Sequence, residues 1–172
     1  MELTTIMSEQ LCLDLIDEAK VATDAETKVQ KLGQIKEIIM NRNPNLLRVY
    51  APEVMDFMSQ QTVKIRKFLI QFASEAFSKD KTMVAQIVVL FNYYMSDSSE
   101  NVLKPLLSEY ARLYQLMVLE VSALRQVGED VDPIAIWHQL QGITTFCIGV
   151  ISSKKSEELR TLALRCGESI LM

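Results

Sequence analysis

Apolar residues recur three and four positions apart along almost the whole of this 172-residue chain, and strict apolar–polar alternation is absent. At 3.6 residues per turn such spacing places the apolar side chains in one stripe, so the chain can bury them only by packing helices together. The pattern predicts eight helices, over 8–22, 26–41, 45–60, 62–79, 81–96, 100–127, 133–151 and 154–171. With only 5 Gly and 4 Pro, long loops are not expected between them. The punctuation agrees: Thr23 with Glu26 and Asp97 with Glu100 have capping-box spacing, Asn43-Pro44 and Asp132-Pro133 set a capping side chain before a first-turn proline, and Gly128 suits a helix end. Pro52 and Pro105 fall where they should bend, interrupt or delay a helix.

A repeat lies on top of this pattern. TKVQKLGQIKEI from Thr27, VKIRKFLIQFASEA from Val63, NVLKPLLSEYARLY from Asn101 and, more weakly, EELRTLALRCGESI from Glu157 align on a leading core position. That position is Val29, Ile65, Val102 and Leu159, at intervals of 36, 37 and 57 residues. A period of this size is one helix pair, and a long helix over 100–127 followed by a loop near Gly128–Pro133 accounts for the enlarged third interval. The expected fold is therefore all-α: a HEAT/armadillo-like α-solenoid of about four stacked helix pairs, occupying residues 1–172 as a single domain. The final helix ends on Ser169-Ile170-Leu171-Met172, apolar and uncapped, which favours an N-terminal piece of a longer protein.

Few features point to chemistry. The single histidine, His138, sits beside Trp137 on an apolar helix. Cys12, Cys147 and Cys166 are far apart in apolar contexts and read as small core residues of a reducing compartment. No phosphate-binding glycine loop, nucleophile elbow or metal-ligand spacing occurs. Glu157-Glu158 and Glu129-Asp130 look like a helix start and a loop. The expectation is a chain with no enzyme activity, no metal and no cofactor. Its net charge of −4, from 18 basic and 22 acidic side chains, argues against direct nucleic-acid binding. The stretch IAIWHQLQGITTFCIGVI has the length to raise a membrane span, but His138, Gln139 and Gln141 favour a buried core helix. No membrane association or signal peptide is expected.

One surface pattern stands out. Lys28 and Lys31, Lys64 and Lys67, and Asn101 and Lys104 lie opposite the core stripes of successive second helices, with Lys31, Lys67 and Lys104 equivalent. Such a basic ladder suits an acidic or phosphorylated partner.

The segment from about Leu13 to Tyr114, above all KVQKLGQIKEIIMNRNPNLL, VKIRKFLIQFASEAFSKD and ENVLKPLL, resembles the N-terminal HEAT-like domain of the symplekin family, including its fungal members. The resemblance implies a nuclear, non-catalytic scaffold of pre-mRNA 3′-end cleavage and polyadenylation. In that family the domain docks and stimulates the protein phosphatase of the RNA polymerase II C-terminal domain and works beside other 3′-end processing factors. It makes Asn101 and Lys104, in the motif Asn101-Val102-Leu103-Lys104, the partner-binding candidates, with Glu109 beyond them and Lys67 as the ladder's equivalent of Lys104. Pro105 and Glu109 depart from the family's usual basic and small polar residues. A HEAT/armadillo-type adaptor for transport or trafficking, with an unrelated partner, is the alternative.

Overall fold

A computed structural model describes residues 2–124 and 132–172. The expected end of the sixth helix at 127, the Gly128 stop and the Glu129-Asp130 loop lie outside them. The described residues form eight α-helices and no strand. These are α1 (Glu2–Val21), α2 (Ala25–Glu37), α3 (Leu47–Met55), α4 (Val63–Lys79), α5 (Val84–Tyr94), α6 (Glu100–Ala123), α7 (Pro133–Ile151) and α8 (Glu157–Leu171). They fall into two compact units, Met1–Lys79 and Asp80–Met172.

In the first unit α1 and α2 form one hairpin, and α3 and α4 form a second. The first helices α1 and α3 pack together, and so do the second helices α2 and α4. The second helices run parallel, because their polar contacts advance along both chains together. Glu26 pairs with Lys64 near the helix starts, and Lys36 donates to Glu75 at 2.7 Å further along. These partners stand 38 and 39 positions apart, close to the 36-residue spacing of Val29 and Ile65. Ile65 is fully buried, while Val29 is half-buried.

Residues Ile38–Arg42 continue α2 as a π-helical turn, closed by the Asn43 N–H on the Ile38 carbonyl at 2.7 Å. The reason is local: Ile38, Ile39 and Met40 are consecutive and all buried. An ordinary helix turns one of three such neighbours outward, and a widened turn keeps more of them facing the core. Pro44–Leu46 then leads as a 3₁₀ turn into α3, which runs through Pro52 and passes into 3₁₀ turns at Asp56–Ser59.

The second unit repeats the plan. Helix α5 packs on α6 and α7 on α8; across the hairpins α5 packs on α7, and α6 lies along α8. Contacts again advance in parallel, from Glu100 with Ser156, through Lys104 with Glu158, to Gln115 with the Ser169 carbonyl. Val102 and Leu159, the leading core residues of this pair, are both fully buried. Phe91 and Tyr110 meet edge to face at 5.0 Å in the core between α5 and α6.

Several expectations need correction. Helix α1 starts at Glu2 rather than near residue 8; among the described side chains burial begins at Cys12, so the apolar stripe gave no sign of the preceding turns. Asp24, not Thr23, caps α2, its carboxylate taking the Thr27 N–H at 2.7 Å. A charged acceptor facing the helix N-terminus outcompetes the neighbouring hydroxyl. Asp97 accepts from Ser99 N–H at 2.8 Å, and Glu100 turns away to Ser156, so no capping box forms there. Asp132 does cap α7, through the Ile134 N–H at 2.9 Å. Helix α6 neither starts late nor stops at Pro105. The proline removes one donor, to the carbonyl of exposed Asn101, where solvent reaches the first turn.

Helix α7 is not the buried core helix that its composition predicted. By length and composition it alone among the described helices could cross a membrane, yet only 28% of its most apolar window is buried. One stripe, Ile136, Leu140, Ile143, Cys147 and Val150, faces the core, while Ile134, His138, Gln141, Thr144 and Ile148 are exposed.

Candidate functional site

The residues singled out in sequence separate between the two units. Lys67 lies on α4 in the first, exposed to solvent. Asn101, Lys104 and Glu109 share α6 in the second.

On α6 the local sequence decides what each can present. Val102, Leu103, Leu106, Leu107, Tyr110, Leu113 and Tyr114 are buried, which turns Asn101, Ser108, Arg112 and Gln115 outward. Lys104, three residues after Asn101 and only partly exposed, flanks this outer stripe. Glu109 follows Lys104 by five residues, about 140° around the helix at 100° per residue, so the two do not project from one face. Glu109 is engaged within α6, its carboxylate accepting from Arg112 at 2.7 Å, and its side chain keeps only 25% exposure.

Lys104 is also engaged. It pairs with Glu158 in the first turn of α8, and its side chain is 27% exposed against 68% for Glu158. Beside this pair, the Glu100 carboxylate accepts the Ser156 hydroxyl at 2.5 Å and the Ser156 N–H at 3.1 Å. Ser156 Oγ in turn accepts the Leu159 N–H at 3.3 Å and so caps α8. The two Ser156 hydrogen bonds, with Lys155 and Lys104 nearby, hold the Glu100 carboxyl below its ordinary range. The result is a compact polar cluster, Glu100, Lys104, Ser156 and Glu158, binding the N-terminal ends of two parallel helices. Asn101 stands exposed at its edge.

The basic ladder takes the same form in the first unit. Lys31 pairs with Glu18 of α1, Lys64 with Glu26 of α2, and Lys28 donates to the Gln60 amide oxygen at 3.2 Å. Lys31 and Lys64 are tied to neighbouring helices and Lys28 to the connection leading into α4, so the ladder is mostly a seam between elements and not a row of unengaged ammonium groups. Glu158 is the functional candidate that the sequence reading missed. Read along the chain, it is one of two acids suited to a helix start; only packing shows it reaching Lys104.

Among the described residues no group of three or more His, Cys, Asp or Glu side chains converges as a metal site. His138 is exposed on α7. In the first unit a groove of about 470 Å³ lies among Leu11, Leu15, Gly33, Ile38 and Arg42. In the second, a shallow depression of about 290 Å³ runs between Leu103, Phe146, Val150 and Lys155. No protein-family model matches the chain.

Proposed function

We propose that this chain is a non-catalytic, HEAT-type protein-binding scaffold of the symplekin kind, working in the nucleus in pre-mRNA 3′-end processing. Its partner in this reading is the phosphatase of the RNA polymerase II C-terminal domain, docked on the α6 face at Asn101 and Lys104. The observation that supports it best is the parallel packing of second helices within each unit, α2 on α4 and α6 on α8. Stacked hairpins pack their second helices directly side by side, as α6 does along α8, whereas in an up-and-down four-helix bundle the second and fourth helices, though also parallel, lie diagonally across the core. Parallel second helices make one continuous surface, and such surfaces serve macromolecular partners better than small substrates.

The Lys104–Glu158 pair refines how docking would work. A partner carboxylate or phosphate must draw Lys104 away from Glu158, so the intramolecular pair competes with the partner. Titrating the labelled phosphatase against wild type, Lys104→Glu and Glu158→Gln tests this. Lys104→Glu is expected to weaken binding at least about tenfold, as loss of a partly desolvated charge contact does. Glu158→Gln is expected to tighten it by freeing the ammonium. Equal affinity for all three proteins would remove Lys104 from the interface.

A further inference from the structure

Within the first unit, the α1–α2 hairpin meets α3 and α4 along one flank. The Tyr50 hydroxyl donates to the Glu9 carbonyl at 3.4 Å, Lys20 pairs with Glu53 at 3.6 Å, and Lys36 donates to Glu75 at 2.7 Å. Leu11 follows Glu9 by two residues and Gln34 precedes Lys36 by two, so each stands about 200° round its helix from those contacts. The groove of about 470 Å³ opens on this free flank, between Leu11 and Leu15 of α1 and Gly33 and Gln34 of α2. Its α1 edge is an apolar ridge, with Met7 68% and Leu11 45% exposed one turn apart. Gly33 leaves a hollow opposite, where an added Cβ would meet no atom within 4 Å. An exposed apolar strip with a polar rim marks an association surface.

Charge is divided along this groove. Glu18 pairs with Lys31 across the antiparallel hairpin, which sets Leu15 level with Gln34 and Met7 level with Arg42. The exposed Arg42 guanidinium therefore lies at the Met7 end, 3.9 Å from the Glu37 carboxylate. Asp14, exposed on α1 and accepting from Gln10 at 2.8 Å, lies toward the other end.

We propose that this free flank is a self-association surface, covered by a second copy of this chain across a two-fold axis at Leu11. With α1 antiparallel to its copy about that residue, Met7 of each chain comes level with Gly33 and Gln34 of the other, ridge against hollow. Arg42 of each comes level with Leu15 of the other, and so within one residue, about 1.5 Å along the axis, of the opposing Asp14. Each apolar and each charged contact then occurs twice, as an isologous interface requires. The strip from Met7 to Glu18 is about 17 Å long at 1.5 Å per residue. Two helices wide, it buries roughly 1,000 Å² over both copies, the lower limit for a specific interface, so the dimer is weak and reversible. The surface belongs to the first unit and does not rest on how α6 is used.

The test is analytical ultracentrifugation of the whole reduced chain over a range of about 1 to 500 μM, which brackets weak association. The weight-average mass should rise from 19.6 kDa toward twice that value and no further. Leu11→Asp, which sets two carboxylates together at the axis, and Gly33→Phe, which fills the hollow, should each weaken association at least about tenfold. Both positions face open space, and an unchanged circular dichroism spectrum checks that each variant is folded. Arg42→Asp and Asp14→Arg should each weaken the dimer, and the double variant should restore it. A mass constant at 19.6 kDa over the whole range would overturn the proposal. Growth beyond a dimer, or association indifferent to Leu11→Asp and Gly33→Phe, would overturn it as well. A double charge swap as weak as either single variant would overturn the antiparallel two-fold arrangement.

Discussion

Glu100 receives both the hydroxyl and the backbone N–H of Ser156, a residue 56 positions further along the chain. Ser156 at the same time caps α8 through Leu159. One side chain thus ends a loop, starts a helix and joins that helix to the start of α6.

Ser156→Ala removes the cap and the hydroxyl contact together. The expected loss is about 1 kcal/mol, the usual effect of deleting a serine N-cap. Urea unfolding should show a lower midpoint with an unchanged slope. Ser156→Asp, which keeps the cap but sets a second carboxylate against Glu100, should recover only part of the loss.

Acid should weaken this contact in a defined direction. The folded-state pKa of Glu100 lies below its ordinary value of 4.5, chiefly through the Ser156 hydrogen bonds. Asp24 lies below 3.8 through the Thr27 bonds. A carboxylate lowered by folding contributes stability that is present above the unfolded value and is lost as pH falls through the folded value. Stability should therefore drop below about pH 4.5, and Glu100→Gln should flatten part of that acid limb. An unchanged acid profile in Glu100→Gln would show that Glu100 does not drive it.

Tyr110→Phe should be neutral or stabilising. The hydroxyl is buried without a partner, so its removal deletes an unmet desolvation penalty and leaves the ring contact with Phe91 intact. Phe91→Ala in the same contact should cost about 3–5 kcal/mol, because it leaves a cavity. A Tyr110→Phe protein less stable than wild type by over about 1 kcal/mol would mean that the hydroxyl makes a stabilising bond.

Gly33→Ala and Gly167→Ala should each stabilise the chain. Both glycines are helical, in α2 and α8, and a Cβ at either meets no atom within 4 Å. Alanine there should add roughly 0.5–1 kcal/mol by narrowing the freedom of the unfolded chain. Thermal unfolding of each variant reads this directly.

Lys104→Ala should change stability by under about 1 kcal/mol, since its partner Glu158 is well exposed and solvent screens the pair. Circular dichroism melts would then separate a folding defect from the binding defect expected of charge reversal at this position.

Eight helices, their order and most of their boundaries followed from the spacing of apolar residues, because burial of one face leaves a period in the chain itself. The leading residues Ile65, Val102 and Leu159 could be aligned by eye, and all three are fully buried. Asp132 and Pro133 announced α7 through chemistry confined to neighbouring residues. Other features depended on partners far away in sequence. The apolar composition of α7 concealed that only one of its stripes meets other helices, and the ladder lysines read as a free basic face until Glu18, Glu26 and Glu158 were seen against them.

What the amino-acid order determined alone was every property set within a few residues: helical periodicity, several caps and the recurrence of a helix pair. Tertiary structure alone decided which charges are paired and how much of each helix stays in water. Those properties depend on distances between segments 13 to 56 positions apart, and nothing in local sequence encodes such distances.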